Sequence, residues 1–257
     1  MKIFDSHFHI IDPKFPLVKN NGYLPQSFTT HDYEKVKEKY ELEGGAIVSG
    51  SFQAFDQGYL INALKKLGPN YVGVANIPSE ISDDELMLLD QANIVAVRFN
   101  VHRGGSETFE KIEELSNKLF TQFGWHTELY IDSIKLKKYK SVLDNLPFFS
   151  IDHLGLSKDG LEDVFYWVDK GVRVKATGFG RINFDTIPAM KTIYAINSKA
   201  LLFGTDLPST RARNPFTLKD IILIKDNFNE VEQENIFYNN AVEWYRVRKD
   251  SSRVGKK

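Results

Sequence analysis

Two rhythms of apolar and polar positions run through this chain. Short apolar runs of strand length begin at Ile3-Phe4 and recur at 46–48, 71–75, 94–99, 125–131, 148–151, 172–176 and 200–203. Between them lie longer stretches with apolar residues three and four apart, the spacing of a helix with one buried face. These predict helices over 31–41, 58–67, 107–123, 133–146, 161–169 and 185–197 (bent at Pro188), and further helices after Pro208 to about Val247. Ser82-Asp83-Asp84-Glu85 is a capping box that opens another, to about Gln91. Gly44-Gly45 reads as the end of the first helix, and Gly68-Pro69, Pro147 and Gly171 as later stops. The stretch 10–30 has no period. It carries Pro13, Pro16, Gly22 and Pro25 with Phe15, Tyr23 and Phe28 between them, and is expected to pack as a loop over a site.

Eight strands, each followed by helix, predict a parallel sheet with crossover helices. Over this length the pattern fits one closed (β/α)8 TIM barrel, a single domain over 1–247, with a polar tail at 248–257. An open doubly wound sheet would want a glycine-rich phosphate loop after the first strand, and His7-Phe8-His9 stands there instead.

In such a barrel the chemistry sits where the strands end. Side chains two apart on a strand share a face, so His7 and His9 are expected to point the same way, with Asp5 on that face one step earlier. Two imidazoles at a strand exit suit a metal, or an oxygen that gains charge during a reaction. The same rule brings Ser49, Ser51, Asn76, Arg98, Asn100, Tyr130, Asp132, Asp152, His153, Lys175, Thr177 and Asp206 to the mouth, with Arg103 and Arg181 on adjoining loops. Strand eight closes onto strand one, which returns Asp206 beside the histidine pair. His126 falls at the barrel floor and is expected to be structural, bonded to a backbone carbonyl; His31 is expected at the surface.

Composition narrows the partners. The chain has 257 residues, 42% hydrophobic and 26% charged, with a formal net charge of -1. No global field favours nucleic acid or anionic lipid. Cysteine is absent, which excludes disulfides and thiolate catalysis. No signal-peptide core or apolar run of membrane-spanning length is present, so a cytoplasmic location is expected.

Six short segments, in order along the chain, carry a family resemblance: Phe4-Asp5-Ser6-His7-Phe8-His9, Val97-Arg98-Phe99-Asn100, Gly124-Trp125-His126, Ile151-Asp152-His153-Leu154-Gly155, Gly204-Thr205-Asp206-Leu207-Pro208 and Asn239-Asn240-Ala241. Together they resemble the amidohydrolase-related barrel hydrolases, and within them the branch that includes 2-pyrone-4,6-dicarboxylate hydrolase and sugar lactonases. The resemblance implies His7, His9, His153 and Asp206 at the mouth and attack by water on a carbonyl carbon. Many members hold a divalent metal with the histidine pair, a histidine ending strand five and the strand-eight aspartate. This chain departs there: strand five ends Glu128-Leu129-Tyr130-Ile131-Asp132, and Arg98 stands where a bridging lysine would support two metals. One divalent ion, zinc by its donor set, held by His7, His9, His153 and Asp206, and metal-free catalysis both stand as expectations.

The expected roles follow. Asp206 is the general base, its alternative being the N-cap of a helix starting near Pro208. His7, His9 and His153 polarise the carbonyl and stabilise the oxyanion. Arg98, Arg103 and Arg181 clamp an anionic substrate, with Lys175, Tyr23 and Ser51 adding contacts and Arg211 and Arg213 near the mouth. The alternative for Arg98 is an ion pair with Asp5 or Asp132. The leading function is a lactonase-type hydrolase of a small carboxylated or sugar-derived lactone. A metal-dependent nonoxidative decarboxylase and a non-catalytic ligand-binding barrel are the competing readings. A homodimer through outer helices is carried as a further expectation.

Overall fold

The computed structural model describes residues 1–182 and 184–246, so Val247 and the 248–257 tail lie outside the described residues. Strands β1 (Ile3–Phe8), β2 (Leu42–Val48), β3 (Tyr71–Ala75), β4 (Ile94–Phe99), β5 (His126–Leu129), β6 (Phe149–Ile151), β7 (Arg173–Ala176) and β8 (Leu201–Phe203) pair in chain order, every pair parallel. The ring closes just above β8. There the Asp206 N–H donates to the His7 carbonyl and the His9 N–H to the Leu207 carbonyl, both at 2.7 Å. This is the single-domain (β/α)8 barrel that the alternating pattern predicts.

Around the strands run α1 (Thr30–Tyr40), α2 (Gly58–Leu67), α3 (Asp83–Gln91), α4 (Ile112–Phe123), α5 (Lys140–Leu143), α6 (Leu161–Asp169), α7 (Thr186–Ile196), α8 (Leu218–Asn227), α9 (Glu230–Glu234) and α10 (Asn240–Trp244). Among the described residues, no helix is long and apolar enough to cross a membrane. One apolar cluster fills the space between strands and helices. A second lies inside the barrel, where Phe4, Val48, Val72, Val74 and Leu202 meet Ala241 and Tyr245 from the last helix. Tyr245 stacks on Phe4 (5.6 Å between rings) and closes the floor, at the ends where the strands begin.

The expected elements shift in several places. Gly44-Gly45 does not end a helix. Helix α1 stops at Tyr40, with Glu41 in the left-handed region (φ 55°), and both glycines lie inside β2. A Cβ on Gly44 would stand 2.5 Å from the Asn70 carbonyl oxygen, and one on Gly45 2.7 Å from that of Asp5, so neighbouring backbone requires glycine there. The expected 133–146 helix reduces to a 3-10 turn at Ser133–Lys135 and the short α5. Its apolar residues do not form one stripe: Leu136 and Leu143 are buried while Ile134 is exposed. The 107–123 helix likewise opens as a 3-10 turn, Phe109–Lys111. Helix α7 runs unbroken through Pro188, which lies in its first turn where an N–H has no helical partner to lose.

One irregularity organises the site. In the pairing of β1 with β2, Asp5 faces Gly45 and Phe8 faces Ile47, so β1 carries one extra residue. A bulge of this kind reverses the inside–outside alternation beyond it. Phe4 points into the barrel and so does His7, although an odd number of steps separates them. Asp5 therefore does not share the face of the histidines. It points outward and accepts hydrogen bonds from the Tyr33 hydroxyl of α1 (3.2 Å) and the Thr205 hydroxyl (2.7 Å). Burial raises its carboxyl to about 6, against the lowering pull of those bonds.

Candidate active site

Above the apolar floor the barrel interior turns polar on the side of β5, β6 and β7. Residues at inward positions two apart on β5 (His126, Glu128, Tyr130), on β6 (Ser150, Asp152) and on β7 (Arg173, Lys175) supply this column. Three carboxylates in or just above it are paired to three cations. Lys175 donates to Glu128, Arg98 to Asp152 (Nη2–Oδ2, 2.9 Å), and Arg181 to Asp206 (Nε–Oδ2, 2.6 Å). Glu128, Asp152 and Lys175 are fully buried, and Asp206 and Arg98 nearly so. Burial alone would raise the two column carboxyls. Lys175 overrides it at Glu128, and the cations Lys175 and Arg98 oppose it at Asp152, holding both below the ordinary carboxylate range.

The histidines sit on top of this column. The His7 ring is 5.1 Å from that of His9 and 4.9 Å from that of His153. His7 Nε2 and His153 Nε2 each stand 4.0 Å from Asp206 Oδ1. His7, His9 and His153 are all buried, and desolvation drives each below the usual imidazole range, so at neutral pH they are uncharged hydrogen-bonding groups. His9 Nδ1 lies 2.7 Å from the Val48 carbonyl oxygen. A carbonyl only accepts, so Nδ1 carries the proton and the lone pair of Nε2 is available.

Two of these residues have unusual backbone. His153 (φ 53°) and Asp206 (φ 59°) both occupy the left-handed region, a strain of about 1–3 kcal/mol each. Such strain concentrates at functional positions. The ring of His153 fits only because position 178 is glycine: a Cβ there would stand 2.6 Å from His153 Nδ1. Asp206 is not a helix N-cap, since the next helix is α8, capped by Thr217.

The pocket over these groups encloses about 400 Å³, open solvent included. Its walls include His9, Tyr23, Ser51, Arg98, Arg103, Tyr130, His153, Arg181 and Arg211. The expected substrate contacts Tyr23, Ser51, Arg98, Arg103 and Arg181 thus all reach the pocket. Lys175 does not; it is held below, between Glu128, Asp152 and His7. Arg98 is ion-paired, but with Asp152 rather than Asp5 or Asp132: Asp5 faces outward, and Asp132 accepts from the backbone of Ile134. Arg213 is exposed and does not line the pocket. His31 is at the surface as expected. His126 is at the floor, but its polar partner is the Glu128 carboxylate (3.4 Å), not a backbone carbonyl.

The residue that sequence reasoning missed is Glu128. Its signal was present: it lies at an inward position between His126 and Tyr130, where an ionised group needs a partner of opposite sign, and Lys175 is such a group.

Two overlapping sets of donors lie close enough to hold a metal ion: His7, His9 and Asp206, and His7, Asp152 and His153, with donor atoms within 4.8 Å of one another in each set. Imidazole and carboxylate suit a borderline divalent ion. His7 Nε2 and His153 Nδ1 are buried without hydrogen-bond partners, so the donor types and their orphaned atoms fit such an ion.

The Amidohydrolase family model matches residues 4–247, and the chain belongs to that family, and with it to the hydrolases. The 2-pyrone-4,6-dicarboxylate hydrolase of Comamonas testosteroni is 26% identical over 156 residues, which are 59% of this chain and 51% of that protein. The matched part thus spans about half of that relative's length. The 4-sulfomuconolactone hydrolase of Rhizobium radiobacter is 21% identical over 236 residues, 84% of this chain and 79% of that one. Among solved structures, a probable 2-pyrone-4,6-dicarboxylic acid hydrolase from Acinetobacter baumannii, with citric acid bound, shares the fold at a TM-score of 0.81. That match is 21% identical and covers 96% of this chain and 100% of the other.

Proposed function

We propose that this protein hydrolyses the ring ester of a small lactone that carries carboxylates. The observation that carries the reading is the charge of the pocket wall. Arg98 and Arg181 neutralise Asp152 and Asp206. Arg103 and Arg211 also line the pocket and have no carboxylate partner among the described residues. Arg103 donates to the Tyr130 hydroxyl (3.2 Å), and Arg211 to Asn20 while lying over the Tyr23 ring (4.4 Å). Two guanidinium groups over the pocket suit a substrate with carboxylates directed away from the reacting bond. Two relatives named for acting on anionic lactone-type molecules support the same class.

The chemistry follows from the geometry. A water among His7 Nε2, His153 Nε2 and Asp206 Oδ1 attacks the lactone carbonyl carbon, and Asp206 takes its proton. The carbonyl oxygen gains charge against the imidazoles, where displaced water would otherwise screen the interaction. The ring C–O bond then breaks, and the proton on Asp206 returns to the departing oxygen. A divalent ion, when bound, would be held by His7, His9 and Asp206 and would supply Lewis acidity and a more acidic water.

A panel of neutral, monocarboxylated and dicarboxylated lactones tests this, with protein as purified, with chelator and with added zinc. Ring opening with dicarboxylated compounds preferred supports the reading. Preference for neutral sugar lactones removes the role given to Arg103 and Arg211. Release of carbon dioxide from an unsaturated acid only with metal would favour the decarboxylase instead.

A further inference from the structure

The two histidines at the exit of β1 differ in their second contact. His9 Nδ1 meets a carbonyl oxygen, which fixes its proton on Nδ1. His7 Nδ1 meets Lys175 Nζ at 3.3 Å. We propose that Lys175 fixes the opposite tautomer in His7, so that its proton sits on Nε2 and points into the mouth.

The surroundings of Lys175 make it an ammonium. It is fully buried, donates to Glu128 and lies 3.7 Å from Asp152 Oδ1. With Arg98 bonded to Asp152 through Oδ2, a neutral amine would leave two buried carboxylates to share one cation. An ammonium has three N–H groups and no lone pair. At its distance from His7, Nδ1 must therefore accept, because a proton there would set N–H against N–H. The competing partner for an Nδ1 proton is Asp152 Oδ1, farther off at 3.5 Å and without a hydrogen bond of its own.

The consequence is a division of labour within one His-x-His pair. His9 presents a lone pair to the mouth and His7 presents an N–H. The His7 N–H is then free to donate to a ligand oxygen. That this oxygen is a lactone carbonyl rests on the proposed function; the tautomer does not. The arrangement also weakens, without abolishing, the hold of His7 on a metal. A metal needs the Nε2 lone pair, which requires the ring proton on Nδ1, facing the Lys175 ammonium. Lys175 is thus a positioning residue that biases this site toward hydrogen-bond catalysis.

Nitrogen NMR of protein labelled in its histidine rings reads the tautomer directly, with His7 assigned by its disappearance in His7→Gln. The expected wild-type result is a protonated Nε2 and an unprotonated Nδ1. In the charge-balanced variant Lys175→Met/Glu128→Gln, the proton should move to Nδ1 and bond to Asp152. Zinc affinity by calorimetry should then rise by about tenfold or more, the scale of effects from groups behind metal ligands. A wild-type His7 protonated on Nδ1 overturns the proposal, as does an unchanged tautomer in the folded double variant. If that variant fails to fold, the wild-type spectrum still decides. Absence of lactone turnover would remove the proposed function without touching the tautomer.

Discussion

Arg181 grips Asp206 through both carboxylate oxygens, Nε to Oδ2 at 2.6 Å and Nη2 to Oδ1 at 3.1 Å. The pair joins the β7 loop to the end of β8 and lies at the boundary between the polar column and the pocket. Arg181 lines the pocket, while Asp206 is nearly fully buried behind it. A substrate carboxylate entering the pocket meets a guanidinium already committed to the proposed base. Under the proposed function, anion binding and base positioning would be coupled through one side chain.

Arg181→Gln should show that coupling in stability. It leaves Asp206 buried without its cation, and breaking one partner of a buried pair costs about 3–5 kcal/mol. Urea unfolding measures the loss. A change within about 0.5 kcal/mol, the range of ordinary surface substitutions, would mean that the pair is not held in solution.

Arg103→Gln and Arg211→Gln should act on binding. Hydrogen bonds to charged groups contribute about 1.5–3 kcal/mol, so each should raise KM for a dicarboxylated lactone by roughly tenfold to a hundredfold. Turnover should change little, because neither residue is bonded to Asp206. Equal loss with a neutral lactone would mean that the two arginines shape the pocket and do not read charge.

The polar column makes a separate prediction about stability. Lys175→Met strands Glu128 in the barrel interior and should cost about 3–5 kcal/mol. Adding Glu128→Gln removes the stranded charge and should recover much of that loss, since Tyr245 can still donate at the position of Oε1 (2.7 Å now). A thermodynamic cycle from denaturant curves checks it. Strict additivity of the two changes would contradict a direct pair.

Stability should fall as pH drops from 7 toward 5. Burial lowers His7, His9, His126 and His153 below the ordinary imidazole value. The unfolded chain then binds protons that the folded one does not, from about pH 6.5 downward. Stability from these groups is complete above that pH and is lost below it, by about 1.4 kcal/mol per pH unit for each fully engaged group. Asp5 opposes this. Its carboxyl, raised to about 6 in the fold, favours folding as pH falls from about 6 to 4. Four histidines outweigh one aspartate, so urea midpoints should decline with acid. A flat profile over this range would contradict the neutral, buried state of the histidines.

Much of this was legible from the order of residues. Short apolar runs alternated with stretches of helical period along the chain, which sufficed for the barrel. Its closure then brought His7, His9, His153 and Asp206 together. Two things were hidden. The extra residue in β1 leaves no mark in composition, yet it turns Asp5 outward and lets Phe4 and His7 both face in. Partner choice was hidden too: Arg98 had several carboxylates in reach by strand order, and only the packed interior selects Asp152. Gly44 and Gly45 misled because glycine both ends helices and admits close backbone approach.

The most direct test is the ring-opening rate of a dicarboxylated lactone with wild type and Asp206→Asn, both stripped of metal by chelator and shown to be folded. The account predicts turnover by the wild type and a loss of about a hundredfold to ten-thousandfold in the variant, the usual contribution of a positioned base. Undiminished turnover in Asp206→Asn, or none in the wild type on any carboxylated lactone, would contradict it.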